Sequence, residues 1–125
     1  MDSVVVPKPF RWDSSFEVFY KSLDEQHRGL FDALAAVAEN LGDDAVLKTL
    51  VDLTTAHFSY EEGKMQDAKY ENYPEHKKKH DGFLADLAGS KKPNTTDNCN
   101  WAMKWLCHHI KTVDFVYKGK LKAEK

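Results

Sequence analysis

The apolar residues of the chain recur every three or four positions in four separate segments. This spacing puts them on one face of an α-helix, and no strand-like alternation is long enough to compete. We therefore predict four helices, separated by turn residues and by the polar loop GSKKPNTTDN before the last one. The first helix should end near Asn40, where Gly42 stops it, and Asp43 or Asp44 should cap the second helix. The third helix should span residues 74–88, and the fourth should start near Asp97.

The segments outside these helices are short. Residues 1–13 contain two prolines and should form an irregular N-terminal arm. Ser14 and Glu17 have the spacing of a capping box, so we expect a helical turn to begin there. A short amphipathic helix should follow the fourth helix, and residues 122–125 should be a frayed polar tail. The apolar positions of that short helix are Phe115, Tyr117 and Leu121.

Short connections between successive helices favour antiparallel neighbours. The predicted fold is therefore all-α, an up-down-up-down antiparallel four-helix bundle whose apolar faces meet in the centre. The chain has 125 residues, of which 42% are apolar, and this size suits a single domain, residues 1–125, with one core.

The composition of the chain argues against some classes of binding partner. The formal net charge is −2, from 18 basic and 20 acidic residues, which argues against a nucleic-acid binder. We see no signal peptide or segment of transmembrane length, so we expect no membrane partner. Cys99 and Cys107 lie in one predicted helix, about 12 Å apart along its axis, too far to form a disulfide. We therefore expect packed thiols and a cytoplasmic location.

Ionisable side chains interrupt the predicted apolar faces. In PEHKKKH, helical geometry puts His76 and His80 on one face and the lysines elsewhere. Five of the six histidines fall on inward faces, and only His108 is expected to face water. The inward face of the first helix carries Leu23, His27, Leu30, Leu34, Val37 and Leu41, and that of the second carries Leu47, Leu50, Thr54, His57, Glu61, Met65 and Ala68. The inward face of the third helix carries Tyr73, His76, His80, Phe83 and Leu87, and that of the fourth carries Trp101, Trp105, His109 and Thr112.

A single core histidine is more often satisfied by a hydrogen bond than by a metal ion, and Glu61 alone could be a surface charge. Histidines on all four inward faces change that interpretation. Burying one unpaired ionisable group costs several kcal/mol, against a total stability of about 5–15 kcal/mol for a domain. The candidate metal ligands are His27, His57, Glu61, His76, His80, His109 and Asp114.

Seven ligands are too many for one tetrahedral zinc, which takes about four, but they suit two ions that share carboxylates. Glu61 and Asp114 would bridge the ions, and a three-two division of the histidines would leave one ion with an open position. Asp114 lies five residues after His109, about 140° away around a regular helix. It reaches the same site only if the fourth helix ends or deforms near residues 111–113.

The segments WDSSFEVFY, LDEQHRGLF, HFSYEE, PEHKKKH and WLCHHIKTVDFVYKGKL span the chain from Trp12 to Leu121. In these motifs the chain resembles the hemerythrin family of non-haem di-iron oxygen carriers. The resemblance implies two iron ions and dioxygen as the ligand of the open one. It implies that His76, His80 and His109 hold a six-coordinate iron, that His27 and His57 hold the other, and that Glu61, Asp114 and an oxo or hydroxo group bridge them.

The resemblance also implies a pocket for dioxygen, formed by Leu30, Phe58, Trp105, Leu106 and Ile110. These side chains are large and apolar, and they would exclude the water that destroys an oxygenated site. None is an acid or a base, which favours reversible binding for oxygen storage or transport, with no catalytic residue and no enzymatic activity. The length of the loop before the fourth helix resembles that of the single-chain myohemerythrins. It favours a monomer, with a homo-oligomer as the alternative.

Two other functions are compatible with a buried di-metal site. One is a di-iron oxidase or peroxidase, although ferritin-like enzymes use carboxylate-rich sites with Glu-x-x-His pairs. The other is iron storage or sequestration of cadmium or zinc, although ligands without cysteine suit soft metals poorly. Substrate turnover without a persistent oxygenated species would indicate the enzyme, and competitive loading with iron and cadmium would identify sequestration.

Overall fold

The computed structural model describes residues 6–121 of the chain. Within this range the chain forms α-helices and short 3₁₀ helices, and no strand occurs. The α-helices are α1 (Lys21–Glu39), α2 (Asp44–Asp67), α3 (Tyr73–Ala88) and α4 (Thr96–Thr112). The 3₁₀ helices are Ser14–Phe16 and Asp114–Tyr117. The predicted antiparallel four-helix bundle, with an irregular arm and a short C-terminal helix, is confirmed.

The helices pack around one core. α1 lies against α2 and α4, and α2 lies against α3. Aromatic rings fill the space between α3 and α4, where Phe83 stacks on Trp105 with ring centroids 3.9 Å apart and on Trp101 at 5.7 Å. Such ring pairs bury large apolar surfaces in a defined geometry.

The helix ends follow local chemistry. The Asp43 side chain accepts hydrogen bonds from two backbone N–H groups of the first turn of α2, at 3.0 and 3.2 Å. Gly42, just before it, has a φ of +87°, a conformation that glycine adopts without strain. Pro74 occupies the first turn of α3, where its missing N–H breaks no helical hydrogen bond. The predicted cap and stop between α1 and α2 are confirmed.

The predicted capping box at Ser14 is wrong in detail. A helical turn does begin there, but the side chain of Asp13 caps it by accepting from the Ser15 N–H at 2.8 Å. Glu17 ends this 3₁₀ helix instead of capping it. The long helix α1 begins only at Lys21, and Asp24 in its first turn accepts a hydrogen bond from the backbone of Val18 at 2.8 Å.

Three apolar-face assignments near helix ends are also wrong. Leu41 is 44% exposed because α1 ends at Glu39, and Thr112, the last residue of α4, is exposed. Phe115 is exposed because a 3₁₀ helix has three residues per turn, which puts Asp114 and Tyr117 on its buried face. The prediction that His108 faces water is confirmed.

Several predictions concern the ends of the chain and its thiols. Residues 6–13 are irregular, whereas residues 1–5 and the predicted frayed tail, 122–125, lie outside the described residues. Cys99 and Cys107 are buried and free. In the part of the chain that the structure describes, no helix has the length and apolarity needed to cross a membrane.

One tyrosine holds the C-terminal segment against the bundle. The buried hydroxyl of Tyr20 accepts hydrogen bonds from the backbone N–H groups of Gly119 and Leu121, at 2.9 and 3.1 Å. Its ring also meets the ring of Tyr117 edge to face, with centroids 5.9 Å apart. Tyr20 therefore fixes the segment that follows α4.

Replacing Tyr20 with phenylalanine should lower the free energy of unfolding by about 1–3 kcal/mol, because two backbone donors lose their acceptor. Urea unfolding would measure the loss. Tyr60→Phe is the matched control, since the Tyr60 hydroxyl contacts Ser22 at the exposed surface, where water can replace it. Equal losses in the two variants would contradict this role for Tyr20.

Candidate metal centre

Seven ionisable side chains meet at the centre of the bundle, and none of these residues is more than 4% exposed. They come from all four helices and from the 3₁₀ helix after α4. They are His27 on α1, His57 and Glu61 on α2, His76 and His80 on α3, His109 on α4, and Asp114 on the 3₁₀ helix. The structure therefore brings together every side chain that the sequence marks as a candidate ligand.

The end of α4 explains how Asp114 reaches the cluster. The α-helix stops at Thr112, and Val113 has φ −109° and ψ −55° before the 3₁₀ helix begins. This change in winding brings a carboxylate oxygen of Asp114 within 3.0 Å of His109 Nε2. The expected break in the fourth helix is present.

The cluster divides into two groups that share the two carboxylates. One group contains His76, His80 and His109, and the other contains His27 and His57. In each group the candidate ligand atoms, including one from each carboxylate, lie within 4.8 Å of one another. The arrangement is that of two adjacent metal positions, with three histidines beside one and two beside the other.

Each carboxylate directs one oxygen towards each group. Glu61 Oε1 lies 3.2 Å from His76 Nε2 and 3.0 Å from His80 Nε2. Its other oxygen, Oε2, lies 3.6 Å from His57 Nε2 and 3.9 Å from His27 Nε2. A carboxylate in this position can bind two cations, one through each oxygen.

Asp114 repeats the pattern. Its Oδ1 lies 2.9 Å from His76 Nε2 and 3.0 Å from His109 Nε2. Its Oδ2 lies 3.1 Å from His27 Nε2. Both carboxylates therefore span the same two groups.

Several of these close atoms have no hydrogen-bond partner among the described residues. They are both ring nitrogens of His27, Nε2 of His80, Oε1 of Glu61 and both carboxylate oxygens of Asp114. A buried polar atom left unpaired costs about 1–3 kcal/mol, so such a concentration is unfavourable without another partner. Imidazole nitrogens and carboxylate oxygens are ligands of divalent transition metals, and two such ions would satisfy these atoms.

Hydrogen bonds orient two of the histidine rings. Gln26 Oε1 lies 2.7 Å from His57 Nδ1, and Glu62 Oε2 lies 2.8 Å from His80 Nδ1. These acceptors hold the proton on Nδ1, so that Nε2 presents its lone pair to the cluster. The Tyr117 hydroxyl donates to Glu61 Oε2 at 2.7 Å and orients that carboxylate as well.

Sequence periodicity did not identify these three partners. Gln26 is next to His27 and Glu62 is next to Glu61 in the sequence, but each contacts a histidine on another helix. Tyr117 was assigned only to an apolar face, and no local pattern connects it with Glu61.

Aromatic rings restrict the histidines further. Phe58 stacks on His80 with centroids 3.8 Å apart and planes within 2°, and Trp105 stacks on His109 at 4.5 Å. Tyr117 lies parallel to His76 at 5.9 Å. The imidazoles are therefore held in place by packing as well as by hydrogen bonds.

The electrostatics keep both carboxylates ionised. Burial raises the pKa of Asp114 and of Glu61, but the surrounding histidines outweigh burial and hold both pKa values below the ordinary range. Burial lowers the pKa of His57 to about 3, so this ring is neutral. Burial also disfavours the charged form of His76, yet the contacts with Asp114 and Glu61 raise its pKa to about 9. Without a metal ion, the contacts with both carboxylates therefore favour the protonated form of His76 at pH 7.

Two of the five predicted pocket residues contact this cluster, since Phe58 stacks on His80 and Trp105 stacks on His109. Leu30, Phe58, Leu106 and Ile110 are buried, and Trp105 is half-buried. Helical spacing places Leu30 one turn from His27 and Leu106 one turn from His109, on the same faces.

Comparison with known proteins agrees with this geometry. Residues 18–121 match the family described as "Hemerythrin HHE cation binding domain". Myohemerythrin-1 of Phascolopsis gouldii is 48% identical over 116 residues, which cover 93% of this chain and 98% of that protein. One hemerythrin subunit of Sipunculus nudus is 49% identical over 116 residues, which cover 93% and 97% of the two chains.

A solved structure gives the same result for the fold. The crystal structure of a wild-type hemerythrin superposes with a TM-score of 0.77 and 28% sequence identity, covering 90% of this chain and 97% of that chain.

Binding of Zn²⁺ to the metal-free protein at pH 7 should release protons, because His76 is protonated there and must become neutral to act as a ligand. Protons compete with the metal below the His76 pKa of about 9, so affinity should rise as pH rises towards 9. Calorimetry in buffers of different ionisation enthalpy would count the released protons. His108→Ala, which removes an exposed histidine, should leave the count unchanged. A binding heat that is independent of the buffer would contradict the role of His76.

Proposed function

The chain belongs to the hemerythrin family, and we propose that its buried cluster holds two iron ions at which dioxygen binds reversibly, for oxygen storage or transport. The observation that carries this proposal is the pair of carboxylates, each with one oxygen towards the three-histidine group and one towards the two-histidine group. Neither a surface charge cluster nor a hydrogen-bonded core would require both carboxylates to be shared between the two histidine groups.

The proposed ligand sets follow the two groups. His76, His80 and His109 would hold one ion, and His27 and His57 would hold the other. Glu61 and Asp114 would bind both, together with an oxo or hydroxo group. When bound, the pair of iron ions supplies the redox chemistry that dioxygen binding requires.

The unequal groups give the site an open position. The three-histidine group offers five protein residues and the two-histidine group offers four. An ion beside His27 and His57 would therefore have one protein ligand fewer than its neighbour. We assign dioxygen to this position.

The chain's own contribution is to position the ligands and to exclude water. Leu30, Leu106 and Ile110 belong to the buried apolar core, and Phe58 and Trp105 cover two of the imidazole rings. None of these five side chains can donate or accept a proton on the reaction path. Their chemistry supports reversible binding without enzymatic turnover, since an oxidase needs a proton source beside the reacting oxygen.

Assembly and location stay predictions. Relatives named as a myohemerythrin and as part of a hemerythrin match the chain about equally. We propose a monomer from the length of the loop between α3 and α4, and a cytoplasmic location from the paucity of cysteine.

Cycling the iron-loaded protein between dioxygen and argon, followed by visible absorption, tests the proposed function. We expect a visible band that appears with dioxygen and disappears when dioxygen is removed. His57→Ala should abolish the band, because it removes one of two imidazoles from the open position. His108→Ala, the exposed control, should keep it. Reversible oxygenation of the His57 variant, or its absence in the unmodified protein, would contradict the proposal.

Leu106→Asn should convert the oxygenated protein to a non-binding ferric form faster than the unmodified protein, because a polar amide attracts water to the pocket. Leu106→Met keeps an apolar side chain of similar volume and should behave like the unmodified protein. Decay of the visible band under air would measure both rates. An unchanged rate in the asparagine variant would count against water exclusion by this residue.

A further inference from the structure

Two of the candidate ligands have hydrogen-bond acceptors of different charge. His80, in the three-histidine group, contacts the carboxylate of Glu62, with Nδ1 and Oε2 2.8 Å apart. His57, in the two-histidine group, contacts the neutral amide of Gln26, with Nδ1 and Oε1 2.7 Å apart. The two contacts have similar lengths, and their acceptors differ by one negative charge.

We propose that Glu62 and Gln26 are positioning residues that make the two metal positions unequal. Glu62 makes the three-histidine position the tighter one, and Gln26 keeps the two-histidine position weaker and its ion easier to reduce. This inference rests on the proposed function, since it requires a metal ion in each group.

The mechanism is electrostatic. An imidazole that donates Nδ1–H to a carboxylate carries more electron density on Nε2 and is a stronger ligand than one that donates to an amide. Hydrogen bonds to a charged acceptor are roughly twice as strong as those between neutral groups. The Glu62 side chain is only 17% exposed, so water screens its charge weakly.

Packing around the two rings enhances the difference. His80 is fully buried and stacked face to face on Phe58, so its ring is fixed along with its acceptor. His57 and Gln26 both line a surface groove of about 560 Å³ between α1 and α2. The contact between Gln26 and His57 therefore borders this groove, whereas the His80 ring is enclosed by the core.

The difference also suits reversible binding. A carboxylate behind a ligating imidazole stabilises the higher oxidation state of the ion, and an amide does so less. Iron at the open position would have to return to its reduced state each time dioxygen leaves, together with the neighbouring ion, since two electrons are returned and each ion takes one. A neutral acceptor behind His57 favours that return, whereas a charged acceptor behind His80 holds the neighbouring ion firmly.

Exchange of the two acceptors tests the inference with almost isosteric changes. The variants are Glu62→Gln, Gln26→Glu, and the two together, which preserves the net charge. Glu75→Gln removes the same charge at an exposed position next to His76, and Gln66→Glu adds it at an exposed position on α2. Both controls should behave like the unmodified protein.

Transfer of iron from the reduced protein to an Fe²⁺ chelator, without oxygen, gives the first measurement. We expect two phases of one iron each, because the two positions differ. Glu62→Gln should accelerate the slow phase by about 10–100-fold, the usual effect of losing such a partner. Gln26→Glu should slow the fast phase, and the double exchange should bring the two rates together.

The reduction potential provides a readout that loosened packing would not produce. Gln26→Glu should lower the potential and Glu62→Gln should raise it. A single release phase in the unmodified protein, equal acceleration of both phases, or potentials that do not move would overturn the inference. If the unmodified protein still carries two irons and binds dioxygen reversibly in those cases, the proposed function survives. Failure to carry two irons would defeat both.

Discussion

Ionisable side chains in a low-dielectric core need a partner, and this requirement governs the centre of the bundle. Five imidazoles and two carboxylates lie there almost without contact with water. Pairing with one another offsets part of the cost of their burial: it lowers the pKa values of both carboxylates and raises that of His76. Several nitrogens and oxygens still lack a hydrogen bond among the described residues, and two shared cations would satisfy them. We therefore expect the fold to be more stable with metal bound than without it.

The bundle places these groups through a few specific devices. Helical spacing sets His57 and Glu61 one turn apart, while the change from α-helix to 3₁₀ helix after Thr112 brings Asp114 to the same point. Tyr20 then holds the segment that carries Tyr117, which donates to Glu61. In this way the packed helices fix the positions of the Glu61 and Asp114 carboxylates. Two shared carboxylates with an unequal set of histidines would leave one metal position with a free coordination site.

The spacing of apolar residues predicted much of this arrangement, because the inward residues of an amphipathic helix recur every three or four positions in the sequence. Six of the seven clustered side chains lie on these inward faces, whereas Asp114 is out of phase with His109 and was expected to reach the site only if the fourth helix ended before it. Errors arose where the helical period ends: Leu41 lies beyond α1, and Phe115 lies in a 3₁₀ helix with a different period. Gln26, Glu62 and Tyr117 were missed because their contacts cross between elements. Gln26, Glu62 and Tyr117 lie 31, 18 and 56 residues from their respective partners in the sequence. No local sequence pattern encodes contacts over such separations.

Native mass spectrometry of the iron-loaded chain, compared with the chelator-treated chain, tests most directly whether a pair of cations completes the core. We predict a mass increase that corresponds to two iron ions per chain, together with a higher unfolding temperature than the metal-free protein has. Saturation at a single ion per chain, or a metal-free protein as stable as the loaded one, would contradict this prediction.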